Sequence, residues 1–250
     1  MSEAAAVQSK VRYIANAENF SKIPGSPIAY WVSEKMFQAF CQKHISDVAD
    51  TCMGMTTGDN GRFLRLWFEV LQLKIKFNAK DNSEAKESKA KWFPYHKGGE
   101  YRRWYGNNDY IVNWENDGGS LKAFTGSTIR NTQFYFREAI TWSLITSSII
   151  SFRYRPIGFV FGDAGPAVFA KQSELYILLA LLNTKITQSV SEIINPTINC
   201  SSGVVANFPA LLDLDNRKDI SDIVLCNINI SKSDWDNYET SWDFKKHPLI

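Results

Sequence analysis

The sequence has few residues that bind metals or form covalent cross-links. Among 250 residues there are four cysteines and three histidines. No two cysteines form a C-x-x-C pair, and no histidine stands at zinc-finger spacing from any of them. The pattern argues against a structural zinc site and against a disulfide framework, and free thiols are typical of a reducing cytoplasm.

Long apolar segments are also lacking. The longest apolar run in the C-terminal half, Leu175–Leu182, is too short to cross a bilayer. The N-terminus has no basic segment followed by an apolar one, which a secretory signal would need. We therefore expect a cytoplasmic protein with no membrane partner.

Motifs of several enzyme classes are missing. Enzymes that methylate the adenine amino group hold the flipped base with a Pro-Pro-aromatic loop, and the chain has no Pro-Pro dipeptide. Asn195-Pro-Thr197 is interpreted as a helix stop, and the two glycines of Phe161-Gly-Asp-Ala-Gly165 as a turn rather than a cofactor loop. Asp81, Glu84 and Lys86 have the order of a nuclease site but lie in a polar segment that favours a solvated helix. We predict no catalytic residue, no metal ligand and no cofactor site in the chain.

What the chain has is apolar and aromatic bulk. Hydrophobic residues make up 44% and charged residues 22%, with eight Trp, ten Tyr and sixteen Phe. A sizeable core is therefore expected. The order of predicted helices and strands favours an α+β fold, with a mixed and mostly non-parallel sheet flanked by helices.

Positive charge is concentrated in one part of the sequence. Residues 62–105 contain eleven Lys and Arg against five Asp and Glu, a net charge of +6 in a chain whose total is +2. Residues 211–250 carry a net charge of −3. An anionic partner is therefore expected at the basic block.

The strongest local signal is the segment Lys91–Asn108, in which aromatic residues alternate with Lys, Arg and Gly. Basic side chains neutralise phosphates, aromatic rings stack on bases, and Asn and Arg pair with adenine and guanine edges. An ordinary core segment with charges outside is the alternative. The predicted DNA contacts are Lys91, Lys97, Arg102, Arg103, Trp104, Tyr105, Asn107 and Asn108.

Two further segments supply candidate contacts. Thr57, Asn60, Arg62 and Arg65 lie in or after a short Gly-containing loop that could enter a groove of DNA, although a simple hairpin turn fits it too. The other segment is Arg153-Tyr-Arg155, a basic pair of low specificity.

Local patterns predict several elements. Apolar spacing predicts a helix from Pro27 to about Phe40, capped by Ser26, and another from Ser173 to Ile194. Residues 63–77 are ambiguous and favour a strand weakly, and Leu211–Ile230 is compatible with a further strand.

Seven blocks of the sequence, in one order, resemble a known family. They extend over residues 13–250 and comprise Ile23–Val32, Thr57–Asn60 with Arg62-Phe63, Trp92–Tyr95 with Lys97–Gly99, Trp104–Asn107, Trp114–Gly118, Arg137–Trp142 and Trp235–Phe244. They look like the C-terminal half of PglX-type adenine-specific methyltransferases of bacteriophage-exclusion (BREX) defence. Ile45–Asp50, Leu182–Lys185 and Asn207–Pro209 are more loosely similar to type I restriction specificity domains.

The resemblance implies a non-catalytic DNA target-recognition domain of a site-specific DNA methyltransferase. S-adenosylmethionine and the adenine chemistry would belong to an N-terminal methyltransferase domain that precedes these residues. The implied division is an entry segment and helix (1–43), a DNA target-recognition domain (44–210) and an acidic C-terminal extension (211–250) that would lead to a helical region absent from these residues. Double-stranded DNA is the expected partner.

Two other functions stay open. The chain is compatible with a stand-alone interaction module that assembles with other defence proteins through its aromatic surface. A small intact methyltransferase or nuclease is the third possibility, and the missing motifs disfavour it.

Overall fold

A computed structural model describes residues 16–147, 149–211 and 217–249. The protein is α+β, as predicted, and its described residues form two four-stranded sheets with helices packed against them. The strands are β1 (Asp50–Cys52), β2 (Leu64–Leu66), β3 (Trp92–His96), β4 (Tyr110–Asn113), β5 (Ala139–Thr141), β6 (Arg153–Arg155), β7 (Val160–Phe161) and β8 (Ala167–Phe169). The helices are α1 (Ala17–Phe20), α2 (Glu34–Phe40), α3 (Asn60–Phe63), α4 (Asn82–Glu87), α5 (Glu115–Lys122), α6 (Gln172–Leu182), α7 (Lys185–Ile194), α8 (Ser202–Ala206) and α9 (Lys218–Asp236).

The two sheets differ in strand direction. One has the order β1-β8-β5-β6 with every neighbouring pair antiparallel, and we call it the antiparallel sheet. The other has the order β2-β4-β3-β7, and its β3–β7 pair is parallel. We call this one the mixed sheet.

Alternation along the strands of the antiparallel sheet builds two cores. Ile140 and its partner Val168 face a cluster formed with the long helices. Their neighbours Ala139, Ala167 and Phe169 face a second cluster, which the mixed sheet shares. Because successive side chains of a strand point to opposite faces, even three-residue strands contribute to both clusters. The antiparallel sheet therefore lies between the core formed with the long helices and the core shared with the mixed sheet.

The outer face of the mixed sheet carries a smaller third cluster. Ile75, Trp92 and Ile111 are buried there under residues 67–77. Only Leu64–Leu66 of the ambiguous segment 63–77 forms a strand, and the rest contains two short 3₁₀ turns, Trp67–Glu69 and Gln72–Lys74.

The helix predicted from Pro27 is shorter than expected. It begins at Glu34, and the Ser33 hydroxyl accepts the N-capping hydrogen bond from the backbone N–H of Met36. Ser26, the predicted cap, has a left-handed backbone with φ of 48°, whereas an N-cap residue needs an extended one. Ile28 is consequently 74% exposed.

The helix predicted from Ser173 to Ile194 is broken into α6 and α7. Asn183 ends α6 and uses its side chain on the backbone of Phe152, accepting from its N–H and donating to its carbonyl. Thr184 then caps α7. In the part of the chain that the structure describes, no single helix is long and apolar enough to cross a membrane; α6 and α7 reach that length and composition only as a pair, bent by 74°.

The strand expected within Leu211–Ile230 is wrong for the described residues, because α9 occupies Lys218–Asp236; residues 212–216 lie outside the described ranges. Val224, Ile228 and Trp235 are the buried residues of α9, at a helical spacing. The helix packs on α6, and its buried residues join the same cluster as Ile23 and Phe37. The predicted divisions after residues 43 and 210 stay predictions.

Candidate nucleic-acid interface

One end of the mixed sheet brings three separate segments together. Strand β4 is antiparallel to both its neighbours, and Val112 lies opposite Leu64 of β2 and Phe93 of β3. The residues before β2, after β4 and before β3 must therefore meet at this end. The topology thus places Asn60 and Arg62 at the same end of the mixed sheet as Lys91.

The first segment contains Thr57, Asn60 and Arg62. Asp59 caps α3 by accepting a hydrogen bond from the backbone N–H of Arg62. The guanidinium of Arg62 lies 5.1 Å from the ring centre of Phe63 and 5.3 Å from that of Phe124, and its side chain is exposed. Thr57 is buried and hydrogen-bonds the exposed Asn60, so it positions Asn60 rather than reaching the surface itself.

Arg65 follows on β2 and is half-buried. It donates to the carbonyls of Gly61 and Leu64, and its guanidinium lies 5.8 Å from the Trp92 ring. Two of its donor contacts are thus used within the protein, which leaves Arg65 at the border of the surface.

The other two segments add residues that sequence reasoning missed. The backbone N–H of Trp114 donates to the carbonyl of Lys91, which fixes the start of α5 beside Lys91. The ammonium of Lys122 lies 5.4 Å from the Trp114 ring and pairs with Asp117. Exposed Lys89 precedes Lys91. The sequence signal was present in the Trp114–Gly118 block, but no charge run marked it.

We call the surface formed by Asn60, Arg62, Lys89, Lys91, Asn116 and Lys122 the basic end. The ion pairs among the described residues include Lys122 but not Arg62, Lys89 or Lys91. Exposed cations without a carboxylate partner keep their full charge for an anionic ligand.

The opposite end of the mixed sheet holds three further basic residues of the block, Lys97, Arg102 and Arg103. Lys97 is half-buried, and its ammonium lies 4.7 Å from the Tyr110 ring. Arg102 contacts α9: its guanidinium is 3.4 Å from an Asp234 carboxylate oxygen and 4.8 Å from the Trp235 ring centre. Arg103 is half-buried beside the Tyr101 ring. We call residues 97–108 the covered segment, since α9 lies against it.

The aromatic and amide residues of the covered segment turn inward. Trp104 is half-buried and continues the antiparallel sheet, donating to Phe152 and accepting from Tyr154 through its backbone. Tyr105, Asn107 and Asn108 are buried. The amide of Asn107 donates to the carbonyl of Glu100 at 2.8 Å. These side chains lie in the interior, so the covered segment matches the core alternative more than an exposed base-reading loop.

Arg153 and Arg155 are also interior residues, 0% and 1% exposed. Tyr154 faces the helices, so its two neighbours on β6 face the space between the sheets. Arg153 donates to the Arg102 carbonyl and the Ser143 hydroxyl, and Arg155 donates to the Arg137 carbonyl and lies over the Phe161 ring. This placement leaves the pair outside the candidate surface.

Burial shifts the pKa values of Arg153, Arg155 and the neighbouring His96. Burial lowers the pKa of Arg155 to about 9 and that of Arg153 to about 10. His96 is 1% exposed, and burial, followed by the charges of Arg153 and Arg155, holds its pKa well below the usual range. His96 is therefore neutral at physiological pH and acts as a packing residue.

The glycine-containing turn after β7 does not form a cofactor cradle. A Cβ at Gly162 would lie 2.1 Å from the Tyr95 hydroxyl, and one at Gly165 would lie 2.5 Å from the His96 ring. Protein side chains already fill the space that the missing Cβ atoms leave. These residues do not fit S-adenosylmethionine.

No protein-family model matches the chain. Over 248 residues it is 38% identical to the adenine-specific methyltransferase PglX of Lacticaseibacillus casei (strain Zhang), covering 95% of this chain and 20% of that protein. Over 235 residues it is 38% identical to the adenine-specific methyltransferase BrxX of Escherichia coli O9:H4 (strain HS), covering 93% and 18%.

The chain is similar to one region of these methyltransferases. The resemblance to PglX-type proteins inferred from the sequence blocks is confirmed. The chain spans about one fifth of the length of the curated relatives it matches. The likeness to type I specificity domains and the C-terminal location of the matching region stay predictions.

Proposed function

We propose that this chain is the DNA-recognition part of an adenine-specific DNA methyltransferase of phage defence. It binds duplex DNA and positions the target adenine, while S-adenosylmethionine binding and methyl transfer take place in another region of a longer protein. The similarity to two adenine-specific methyltransferases supports the enzyme class. The lack of a Pro-Pro-aromatic motif in the chain supports a recognition role.

The observation that carries the proposal is the basic end. Arg62, Lys89 and Lys91 come from two segments of the chain and lie at one end of the mixed sheet. They are exposed and have no carboxylate partner among the described residues. Lysine and arginine that neutralise phosphates supply most of the non-specific affinity for DNA. Asn60 and Asn116 add amide groups of the kind that read base edges.

The proposed contacts are therefore a subset of the residues that the sequence singled out. Asn60, Arg62 and Lys91 contact DNA, and Arg65 flanks the surface. Lys97 lies at the opposite end of the mixed sheet. Thr57 positions Asn60. The buried residues Tyr105, Asn107, Asn108, Arg153 and Arg155 support the fold, as does Trp104. Arg102 contacts α9, and Arg103 lies beside the Tyr101 ring.

One observation favours a second function, assembly with a protein partner. Phe68, Leu71 and Leu73 are 59%, 64% and 84% exposed within six residues of the chain. Exposed apolar side chains grouped in this way are typical of protein interfaces. Under this alternative the chain is an interaction module of a defence complex, and its binding is insensitive to salt.

Salt-dependent binding of a fluorescent duplex of about 30 base pairs tests the proposal, because each neutralised phosphate contributes about 0.9 to the slope of log affinity against log salt. The whole 250-residue chain is used. The double variant Arg62→Ala/Lys91→Ala should bind more weakly and show a slope smaller by about 1.8.

The matched control is Lys35→Ala/Lys185→Ala, which removes two exposed lysines from α2 and α7. It should leave both affinity and slope unchanged. Absence of duplex binding by the wild type, or equal effects of the two double variants, would contradict the proposal.

A further inference from the structure

A left-handed turn stands at the start of α5. Asn116, Asp117 and Gly118 have φ angles of 52°, 58° and 70° in succession. L-residues enter this region singly and at a steric cost, so three consecutive residues there are unusual. Strained backbone of this kind persists only where the surrounding structure imposes it, and it is frequent at functional sites.

Other left-handed asparagines in the structure have a local explanation. The amide of Asn107 donates to the Glu100 carbonyl, and that of Asn131 donates to the Met53 carbonyl, each at 2.8 Å. Asn116 differs: it is exposed, and the structure gives its side chain no hydrogen bond to any of the residues it describes. Its carboxamide is left with its donors and acceptor for an external ligand.

The turn is held at both of its ends. The Trp114 side chain is 1% exposed and packs edge-on against the Tyr135 ring at 5.1 Å. The backbone N–H of Gly118 donates to the Trp114 carbonyl, and a Cβ at Gly118 would lie 2.5 Å from the Trp114 ring. Glycine is therefore required there both for its positive φ and for its lack of a side chain.

A further constraint comes from Lys122. It pairs with Asp117 inside the turn while its ammonium lies over the Trp114 ring. The backbone turn that carries Asn116 is thus rigid. A base-reading group requires this, because ordering a flexible group on binding would cost affinity.

The turn Asn116–Gly118 lies within the basic end. Trp114 donates its backbone N–H to the Lys91 carbonyl on one side. On the other side, Phe124 follows α5 directly and lies under the Arg62 guanidinium. Cations that grip phosphates on both sides of the turn would set Asn116 against the groove between them.

We propose that Asn116 is a specificity-determining residue that reads an adenine edge in the major groove. This inference rests on the proposed function. A carboxamide donates to N7 and accepts from the N6 amino group of adenine, a two-bond pattern that no other base offers in the major groove. Arg62 and Lys91 supply affinity, and Asn116 supplies choice of sequence.

Selection from a pool of duplexes with a randomised central segment tests the assignment. The wild-type chain should enrich a motif. Asn116→Ala should enrich the same motif except at one adenine position, whose frequency falls to that of the unselected pool. Its affinity for the wild-type motif should fall about ten-fold or more, with an unchanged salt slope. Asn229→Ala, an exposed asparagine of α9, is the matched control and should behave as the wild type.

A second variant separates the carboxamide from the backbone. Asn116→Gly accepts the positive φ and removes the same side chain, so it should lose the same adenine position even if Asn116→Ala folds poorly. An unchanged motif in Asn116→Gly, or loss of enrichment at every position alike, overturns the assignment of Asn116 and leaves the proposed function standing. A wild-type chain that binds no duplex overturns both.

Discussion

The basic end and the covered segment are built from the same kinds of residue, yet they differ in what lies against them. In each, an arginine stacks on an aromatic ring: Arg62 on Phe63 and Phe124, and Arg102 on Trp235. Arg102 also pairs with Asp234 of α9, whereas Arg62 has no carboxylate partner among the described residues. The comparison teaches that a basic, aromatic segment leaves its cations exposed and unpaired only where no acidic element of the same chain covers it.

Truncating Trp235 of α9, the helix that lies against the covered segment, should have the largest effect on stability. Trp235→Ala deletes a side chain that is 6% exposed and that packs in the helical core and under Arg102. The free energy of unfolding should fall by about 3–5 kcal/mol, from lost burial and the cavity left behind. Urea unfolding measures the change. Tyr238→Ala, which lies just after α9 and is 52% exposed, should change it far less; equal losses would show that α9 does not anchor the covered segment.

Acidification should lower the free energy of unfolding by a smaller amount, through the buried His96. Burial, then Arg153 and Arg155, keep the pKa of His96 well below its usual range in the folded state. In the unfolded chain the imidazole takes up a proton near about pH 6.5. The unfolded state then binds more protons, so stability falls as pH drops below that value, by up to about 1.4 kcal/mol per pH unit.

The measurement is the free energy of unfolding of wild type and His96→Gln at several pH values from neutral to mildly acidic. The variant should lose part of the pH dependence, and His247→Gln, an exposed control, should keep it. The same dependence in wild type and His96→Gln would argue that the imidazole is not buried as a neutral group.

Replacing a buried cation should change the free energy of unfolding less still. Arg155→Met keeps most of the side-chain volume over the Phe161 ring and removes a charge that burial disfavours. Stability should change by less than about 1.5 kcal/mol, in either direction. DNA affinity should be unchanged within experimental error. A clear loss of DNA binding in a variant of unchanged stability would return Arg155 to the binding surface.

The smallest expected effect distinguishes the two arginines directly. Arg62→Ala should lower the salt slope of DNA binding by about 0.9, the share of one phosphate contact. Arg102→Ala should leave the slope unchanged, because its guanidinium is already paired with Asp234. Fluorescence anisotropy with the same duplex compares them. A larger change for Arg102→Ala would mean that DNA displaces α9 from the covered segment.

Sequence patterns predicted the part of the fold that depends on local chemistry. The α+β class and the helix Glu34–Phe40 follow from the order of the predicted elements and from apolar spacing. Apolar spacing did not predict the helix α9, because its polar positions outnumber its buried ones. Only packing against α6 determines that Val224, Ile228 and Trp235 are buried.

For the candidate site, the sequence by itself determined which chemical groups are available: excess positive charge in residues 62–105, aromatic partners for it and no catalytic motif. Only the tertiary structure decided which groups reach the surface. The strand alternation that buries Arg153 and Arg155, and the acidic helix that neutralises Arg102, act between residues far apart in the chain. The physical reason is that burial and pairing of a charge depend on its neighbours in space, and local sequence patterns carry no information about those neighbours.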